Sequence, residues 1–464
     1  MIRIKIYIIV LLQLFLILSI KGQTINTRNQ DLYLIIVSDD YVTSSALATL
    51  KTFREQDFTV QVVTGTSIGT TKDDFRNYIR YLMPNYLLLV GKYGDFPIHI
   101  VNYIAAEVES YNYYIASSLT GHPAPDIPMG LFFAEDETEL SNIVNKTIYS
   151  ENNLSSYPNE FYGHAGSKEP VYPWPVEFNE EILAEMYDRY FAPNGFDSTM
   201  STAYDSSPND AMTDVDVINS GIHYMIYHGH GKISRWSFGM GVNGLPWLNN
   251  TIYPTILSFS CLTGSFSGEI DGNIADCYAQ KIVANEHGAV AFFGAYHLSG
   301  RGMNPLMEGV VNGLFNDTVI NRLGDAIIYG YNNFINPNTV NNYYPTVTEL
   351  ERTRSAWQFH LFGDPAFKTR ENGPTDTINF IRDNDFFNIY PNPANPANPA
   401  NGIVSIQTNK NWEKMEFCVY NLQGKELLRT FNQTEIDIRN LPSGLYFVKI
   451  EIDDIIKTSK MIIE

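Results

Sequence analysis

Short apolar runs alternate with amphipathic segments in the first third of the chain. The apolar runs of strand length are residues 31–37, 58–63, 86–90 and 129–133. Residues 46–53 and 72–82 carry apolar side chains at helical spacing, and the acidic residues 135–137 begin a further helix. Strands and helices that alternate in this way form βαβ units, which build parallel sheets. The pattern therefore predicts an α/β fold with a parallel sheet.

Two strands predicted in the middle of the chain end on reactive side chains. Residues 222–227 lead into a His-Gly-His-Gly turn at residues 228–231, and residues 255–260 lead into Cys261. The carboxyl ends of parallel strands meet at one edge of a sheet, where ligands bind. We therefore expect a histidine and a cysteine to meet there as base and nucleophile.

Other segments complete the predicted sheet and its covering helices. Helices are expected at residues 177–191, 275–284 and 304–315, and a buried strand at residues 288–294. Residues 151–176 are rich in Asn, Ser, Tyr, Gly and Pro and are predicted to be a loop.

The character of the sequence changes near residue 387. Ala-Asn-Pro triplets continue to residue 402, and proline at every third position is typical of a stiff spacer. Short alternating apolar runs follow from residue 403, with turn residues at 421–424 and 442–444. This pattern predicts a small all-β sandwich.

The amino terminus has the parts of a secretory signal peptide. Arg3 and Lys5 precede an apolar run at residues 6–20, which Lys21, Gly22 and Gln23 close. The alternative is a membrane anchor, because a run of this length almost spans a bilayer when tilted. The small residue at the exit favours cleavage, and no other stretch is long and apolar enough to cross a bilayer.

Composition narrows the classes of partner. The formal net charge is -20, from 31 Lys and Arg against 51 Asp and Glu, so the surface repels nucleic acid and anionic membranes. The three cysteines are Cys261, Cys277 and Cys418, and an odd number leaves at least one thiol unpaired. A free thiol is a liability on an exported protein unless it has a function. This consideration favours a functional role for Cys261.

The chemistry of peptide hydrolysis requires a thiol and an imidazole together. A single cysteine is most often a packing residue, and a His-x-His pair also suits zinc, although no third ligand is evident at suitable spacing. A neighbouring imidazole raises the thiolate fraction of a thiol and later protonates the leaving amine. A glycine beside the histidine offers a backbone N–H to the oxyanion.

Several motifs resemble the gingipain family of cysteine peptidases. They occur in order within residues 31–370: LLLVGKYGDFP at 87–97, HGK with a following Trp at 230–236, SCLTGSF at 260–266, DCYAQKIV at 276–283, GAVAFFGA at 288–295 and HLFGDPAF at 360–367. The resemblance implies a caspase-like α/β fold and a secreted endopeptidase that hydrolyses peptide bonds through a Cys-His dyad.

The same resemblance implies roles for individual residues. Cys261 is the implied nucleophile and His230 the implied catalytic histidine, with the backbone amides of Gly231 and Cys261 as the oxyanion hole. His228 falls where the family tolerates other residues, and we interpret it as a neighbour. Glu109 is the nearest candidate for an acid that orients the histidine. Cys277 is interpreted as a packing residue.

The residues expected in the specificity pocket depart from the family. Members that cleave after Arg or Lys carry an acidic residue where His122 stands here, with Asp126 close by, and an aromatic wall is replaced near Arg301. Trp236 is a third candidate for the pocket. These departures argue against a trypsin-like preference, and we expect cleavage after acidic or neutral residues.

The end of the chain resembles the sorting domain of the type IX secretion system of Bacteroidota, through YPNPA, VYNLQGKE and LPSGLYFVKI. This resemblance implies a partner in the secretion machinery and a location outside the outer membrane, either secreted or at the cell surface. The predicted organisation is a signal peptide at 1–22, an amino-terminal α/β subdomain at 23–120, a catalytic subdomain at 121–370, a linker at 371–402 and the sorting domain at 403–464.

Protein or peptide substrates are the other expected partners, and catalysis is expected to need no cofactor. Structural calcium, which some members of the family hold, has no assignable ligands in the sequence. The fold is expected to begin directly after the signal peptide, without a long pro-region. The alternatives are a catalytically silent scaffold for surface adhesion or binding, and a peptidase that processes other secreted proteins.

Overall fold

The protein is described by a computed structural model. It covers residues 29–103, 106–110, 125–166, 179–202, 208–270, 273–299, 303–315, 321–335, 357–370, 388–390, 403–407, 414–421, 425–452 and 455–463. The chain divides into a first unit that ends at Gly373 and a second that begins at Pro374. Within the described residues, no helix has the length and apolar character needed to span a membrane. The predicted signal peptide lies outside the described residues.

Strands of the first unit form one large sheet and three small ribbons. In chain order they are β1 Asn29–Val37, β2 Thr59–Thr64, β3 Pro84–Gly91, β4 His99–Tyr103, β5 Ala106–Ser110, β6 Met129–Phe133, β7 Glu160–Gly166, β8 Asp197–Thr202, β9 Tyr224–Gly229, β10 Gly231–Lys232, β11 Arg235–Trp236, β12 Thr255–Phe259, β13 Glu269–Ile270, β14 Asn273–Ile274, β15 Ala291–Ala295 and β16 Phe359–Phe362. The order across the large sheet is β2-β1-β3-β6-β16-β15-β12-β9-β7-β8. All neighbours are parallel except β15 and β16, which are antiparallel.

Helices connect the strands, and several begin at a residue that caps them. They are α1 Ser45–Arg54, α2 Gly65–Ile68, α3 Lys72–Leu82, α4 Glu137–Asn152, α5 Asn179–Met186, α6 Pro208–Ser220, α7 Tyr278–Ala284, α8 Asn304–Phe315 and α9 Leu323–Ile335. The Thr71 hydroxyl and the Asp74 carboxylate form a reciprocal capping box at α3. Asp136 accepts from the Glu139 amide at α4. The predicted helices at 72–82 and 304–315 have the bounds observed.

The predicted α/β class is confirmed: a large, mainly parallel sheet is followed by small antiparallel sheets. The loop predicted at residues 151–176 was wrong in part, because β7 lies within this segment. Its sequence, Glu-Phe-Tyr-Gly-His-Ala-Gly, lacks an apolar run, yet all but its first residue are buried. Small residues suit this position because larger neighbours approach it: a Cβ on Gly163 would lie 2.4 Å from the Met200 sulfur. The burial of β7 is therefore set by packing and not by local hydrophobicity.

The two halves of the large sheet meet between β6 and β16. One register pair, Leu131 with Phe362, joins these strands. Gly130 makes the approach possible, since a Cβ there would lie 2.0 Å from the Gly363 carbonyl oxygen. The predicted subdomain boundary at residue 120 lies outside the described residues.

The second unit contains two antiparallel sheets around one apolar core. The strands are β17 Asn388–Tyr390, β18 Ile403–Gln407, β19 Met415–Tyr420, β20 Glu426–Phe431, β21 Glu435–Asp437, β22 Gly444–Ile452 and β23 Ile455–Ile463. The sheet orders are β17-β18-β21 and β20-β19-β22-β23. The linker expected over residues 371–402 was wrong at one point, since β17 lies inside it and pairs with β18. This pairing of Ile389 with Ile406 is a contact that the short segment alone does not reveal.

Candidate active site

The ends of β9 and β12 bring the His-Gly-His-Gly turn beside Cys261. These parallel strands are neighbours, and His228 is in register with Phe259. His230 and Cys261 each lie two residues further along the chain, at the carboxyl edge of the sheet. A Cβ added to Gly231 would lie 2.3 Å from the Cys261 carbonyl oxygen and 2.7 Å from the Ser260 hydroxyl. The two backbone segments are therefore packed directly against each other.

Cys261 is partly exposed, and its thiol is held by the segment that follows β15. The Ser299 amide donates to the sulfur at 3.2 Å, and the thiol donates to the Ser299 carbonyl oxygen at 3.3 Å. The Ser299 hydroxyl is 3.7 Å from the sulfur. Cys261, Cys277 and Cys418 are all free cysteines, so none is consumed in a disulfide.

A tight turn follows the cysteine. The Thr263 amide donates to the Cys261 carbonyl oxygen at 2.8 Å, which closes a three-residue turn around Leu262 with φ of 67°. Non-glycine residues with positive φ are uncommon and are concentrated at functional sites. The Leu262 amide donates to the His297 carbonyl oxygen at 3.2 Å. The amides of Leu262 and Thr263 thus both have backbone acceptors, and the candidate oxyanion donors remain those that the family resemblance implies, the amides of Gly231 and Cys261.

A buried network of hydroxyl groups lies beside Cys261 in the chain. The hydroxyls of Ser258, Ser260 and Thr263 lie 3.0 to 3.2 Å from one another. The Trp236 indole N–H donates to Ser258 at 2.9 Å. Each member of the network is almost fully buried, so its hydrogen bonds satisfy groups that water does not reach.

His230 is exposed at the end of β9. Its backbone oxygen accepts from the Tyr227 hydroxyl at 2.8 Å and from the Ser237 amide at 2.9 Å. Its ring lies 6.3 Å, centroid to centroid, from Phe238. His228, in contrast, is buried and bonds Asn304 of α8 at 2.8 Å. The structure therefore gives the two histidines different surroundings.

The remaining predicted residues fall into three groups. His122 and Arg301 lie outside the described residues, and Glu109 is located on β5, paired with Ile100 of β4. Trp236 was predicted in the pocket, which is wrong: it is 0% exposed, stacks on Tyr227 with ring centroids 4.5 Å apart and belongs to the core. Cys277 is buried just before α7, and burial raises the pKa of its thiol to about 12.

A buried acid and histidine behind β9 were not predicted. Asp214 of α6 and His164 of β7 are 0% and 1% exposed, and the His164 Nδ1 lies 2.6 Å from the Asp214 carboxylate. Tyr162 donates to the same carboxylate oxygen at 2.8 Å, and the Met240 amide donates to the other at 2.7 Å. Neither β7 nor α6 was predicted, so the sequence offered no element on which to place these residues.

Among the described residues, no group of three or more His, Cys, Asp or Glu side chains is arranged to hold a metal ion.

The fold and site define a class before any comparison. A mainly parallel sheet carries a free thiol and an exposed histidine just beyond the ends of two adjacent strands, and these are residue types that serve as nucleophile and base in covalent catalysis. Residues 26–370 match the model of Peptidase family C25, and the chain belongs to this family. Residues 388–464 match the secretion system C-terminal sorting domain. The sorting domain assigns the chain to type IX export, to the cell surface or the extracellular space.

Solved structures share the fold at low sequence identity. The Arg-specific cysteine proteinase gingipain R is 15% identical, with a TM-score of 0.62 over 96% of this chain and 99% of that one. The complex of RgpB pro- and mature domains from Porphyromonas gingivalis is 14% identical, with a TM-score of 0.62 over 93% and 100%. A structure described as a protease is 16% identical, with a TM-score of 0.61 over 94% and 98%. No curated protein matches the sequence. At these identities the structures support the fold and not the specificity.

Proposed function

We propose that the protein is a secreted cysteine endopeptidase that uses Cys261 as nucleophile and His230 as general base and acid. The observation that carries the proposal is the direct packing of Gly231 against the Cys261 backbone, since it fixes the histidine turn and the cysteine turn side by side. Cys261 is partly exposed and His230 is exposed, and the two follow the carboxyl ends of neighbouring parallel strands, which is the edge of such a sheet where ligands bind.

The reaction proceeds by two displacements at the substrate carbonyl. His230 accepts the thiol proton, and the sulfur of Cys261 attacks the carbonyl carbon to form a tetrahedral oxyanion. The oxyanion accepts hydrogen bonds from the amides of Gly231 and Cys261. Collapse breaks the C–N bond as His230 returns the proton to the leaving amine. In the second step His230 takes a proton from water as the water oxygen attacks the thioester carbonyl carbon; the C–S bond then breaks and His230 returns the proton to the Cys261 sulfur. Neither step needs a cofactor.

The Ser299 amide has a further role in this proposal. It donates to the Cys261 Sγ at 3.2 Å and so helps to fix the position of the attacking sulfur. The thiol donates a hydrogen bond to the Ser299 carbonyl oxygen, and this hydrogen bond must break when the proton moves to His230.

Specificity is proposed to differ from that of the Arg-specific gingipain R. His122 and Arg301 are the residues that would favour an acidic or neutral side chain before the scissile bond, and Glu109 is the proposed orienting acid. Trp236 has no exposed surface and is omitted from the pocket. The secretion machinery is the proposed partner of the sorting domain.

A mixed peptide library incubated with the full chain tests the proposal. Cys261→Ala and His230→Ala are each expected to abolish hydrolysis. Cys277→Ala, which removes a buried thiol outside the proposed dyad, is expected to retain hydrolysis. Mass spectrometry of the products also reports the residue before each cleaved bond. Equal hydrolysis by the wild type and Cys261→Ala would contradict the mechanism, cleavage only after Arg or Lys would contradict the proposed specificity, and no hydrolysis by the wild type would contradict the peptidase function itself.

A further inference from the structure

The catalytic histidine lies on a segment with its own buried attachment to the core. Residues 230–241, called the histidine segment here, contain His230, Gly231, the ribbon β10–β11 and Met240. The Trp236 amide donates to the Met240 carbonyl oxygen at 3.1 Å, and Trp236 is in register with Gly231. A displacement at Met240 is therefore transmitted to the residue that packs on Cys261.

Asp214 is the group that holds Met240. The carboxylate accepts three hydrogen bonds: two at Oδ1, from Tyr162 and His164, and one at Oδ2, from the Met240 amide. A fully buried carboxylate is unfavourable unless its oxygens are satisfied, and three donors from two segments offset that cost while fixing its orientation. The donors come from β7 and from the histidine segment, so the carboxylate of α6 joins the two.

A second contact leads from the same cluster to His230. The His164 ring packs edge-on against Tyr227 with centroids 5.1 Å apart. The Tyr227 hydroxyl donates to the His230 carbonyl oxygen at 2.8 Å. Gly239 fits against the cluster because it lacks a side chain: a Cβ would lie 2.7 Å from Asp214 Oδ2 and 2.9 Å from His164 Cε1. The histidine segment is thus fitted to the Asp214–His164 pair at two points.

We propose that Asp214 is a positioning residue for the His230 side of the active site, with His164 and Tyr162 holding its carboxylate in place. It acts through the Met240 amide and touches neither substrate nor sulfur. The inference rests on the proposed Cys261–His230 mechanism for its catalytic consequence, but the attachment of the histidine segment is measurable without catalysis.

Two substitutions at Asp214 separate positioning from charge. Asp214→Ala removes the acceptor for Met240, and it is expected to lower kcat by about 10²-fold with KM changed less than about threefold, because a small displacement of a catalytic group is costly. Asp214→Asn keeps an oxygen for Met240, while its amide donates to Tyr162 and to the other tautomer of His164. It is therefore expected to restore kcat to within about threefold of the wild type.

Hydrogen exchange of the full chain reports the attachment directly. In Asp214→Ala the peptide that covers residues 230–241 is expected to exchange about tenfold faster, and in Asp214→Asn at the wild-type rate. Ile143→Ala, which opens the core beneath α4, serves as the control for general destabilisation. It is expected to lower the melting temperature without changing kcat or the exchange of this peptide.

Each result decides the inference. Wild-type exchange of residues 230–241 in Asp214→Ala overturns it, as does an equal loss of kcat in Asp214→Asn and Asp214→Ala, which would mean that charge and not geometry is required. If the wild type hydrolyses no peptide, the proposed function fails, but the exchange of Asp214→Ala against Asp214→Asn still decides whether Asp214 anchors the histidine segment.

Discussion

Gly231→Ala places one methyl group between the histidine turn and the cysteine turn of the proposed active site. The new Cβ would lie 2.3 Å from the Cys261 carbonyl oxygen and 2.7 Å from the Ser260 hydroxyl. The first distance is about 1 Å shorter than the contact that a methyl group and an oxygen tolerate. Because the nearest atom belongs to the backbone, no side-chain rotation relieves the overlap. His230 and Cys261 must move apart.

The size of the effect follows from this displacement. A shift of about 1 Å in a catalytic group costs about 10²-fold in rate, which corresponds to about 2.7 kcal/mol in the activation barrier. Overpacking of this kind also lowers the free energy of unfolding by about 1–3 kcal/mol. We therefore expect a folded protein whose kcat/KM is at least about 10²-fold below that of the wild type.

The assay is steady-state hydrolysis of a peptide identified by the library experiment, at a temperature where circular dichroism shows both variants folded. Gly65→Ala is the matched control, since the nearest atom to its Cβ is a Phe75 ring carbon at 3.3 Å. Gly65 follows β2, six strands from β12 in the sheet, so Gly65→Ala is expected to leave kcat/KM unchanged. A Gly231→Ala protein with kcat/KM within about threefold of the wild type would refute the reasoning, because the close contact would then have no part in the working geometry.

Three further predictions concern hydrogen bonds and one buried amine. Tyr227→Phe removes the hydroxyl that donates to the His230 backbone and is expected to lower kcat about tenfold, measured by steady-state kinetics. Ser258→Ala leaves the Trp236 indole N–H without its acceptor and is expected to lower the free energy of unfolding by about 1–3 kcal/mol in urea denaturation. Burial lowers the pKa of Lys146 from 10.5 to about 7, so the folded protein releases this proton at lower pH than the unfolded chain. The unfolding free energy of the wild type relative to Lys146→Met is therefore expected to rise as the pH increases from about 7 to about 10.5.

Each of these predictions has a contrasting outcome. Tyr331→Phe removes a hydroxyl that donates to the Phe359 backbone and is the control for Tyr227→Phe, because a loss of kcat in both would indicate general destabilisation. Ser67→Ala removes an exposed hydroxyl, and a stability change equal to that of Ser258→Ala would contradict the role of burial. A pH-independent difference between the wild type and Lys146→Met would show that this amine titrates alike in the folded and unfolded chains.

Local patterns were sufficient for much of the first unit. Apolar periodicity located α3, and a continuous apolar run located β1, because such signals lie within one segment. The order of the apolar runs along the chain also led to the expectation that His230 and Cys261 follow neighbouring strands. In the structure, the parallel register of β9 and β12 places both residues at one edge of the sheet.

Other features depend on contacts between segments that are distant in the chain. The antiparallel β16 enters the sheet between β6 and β15, and no local pattern sets that position. The burial of β7 comes from the large neighbours Met200 and Tyr227, which fill the space that its glycines leave. Trp236 looked suited to a pocket because aromatic residues occur in both pockets and cores, and only packing distinguishes the two.

By itself, the sequence determined the fold class, the family resemblance and the pair of residues expected to react. These depend on the periodicity and order of residues near one another in the chain. Only the tertiary structure decided that Gly231 contacts Cys261, that Ser299 holds the thiol and that Asp214 holds the histidine segment. Those contacts join residues 26 to 38 positions apart, and the geometry of such contacts is fixed by how the strands and helices pack and not by the local sequence.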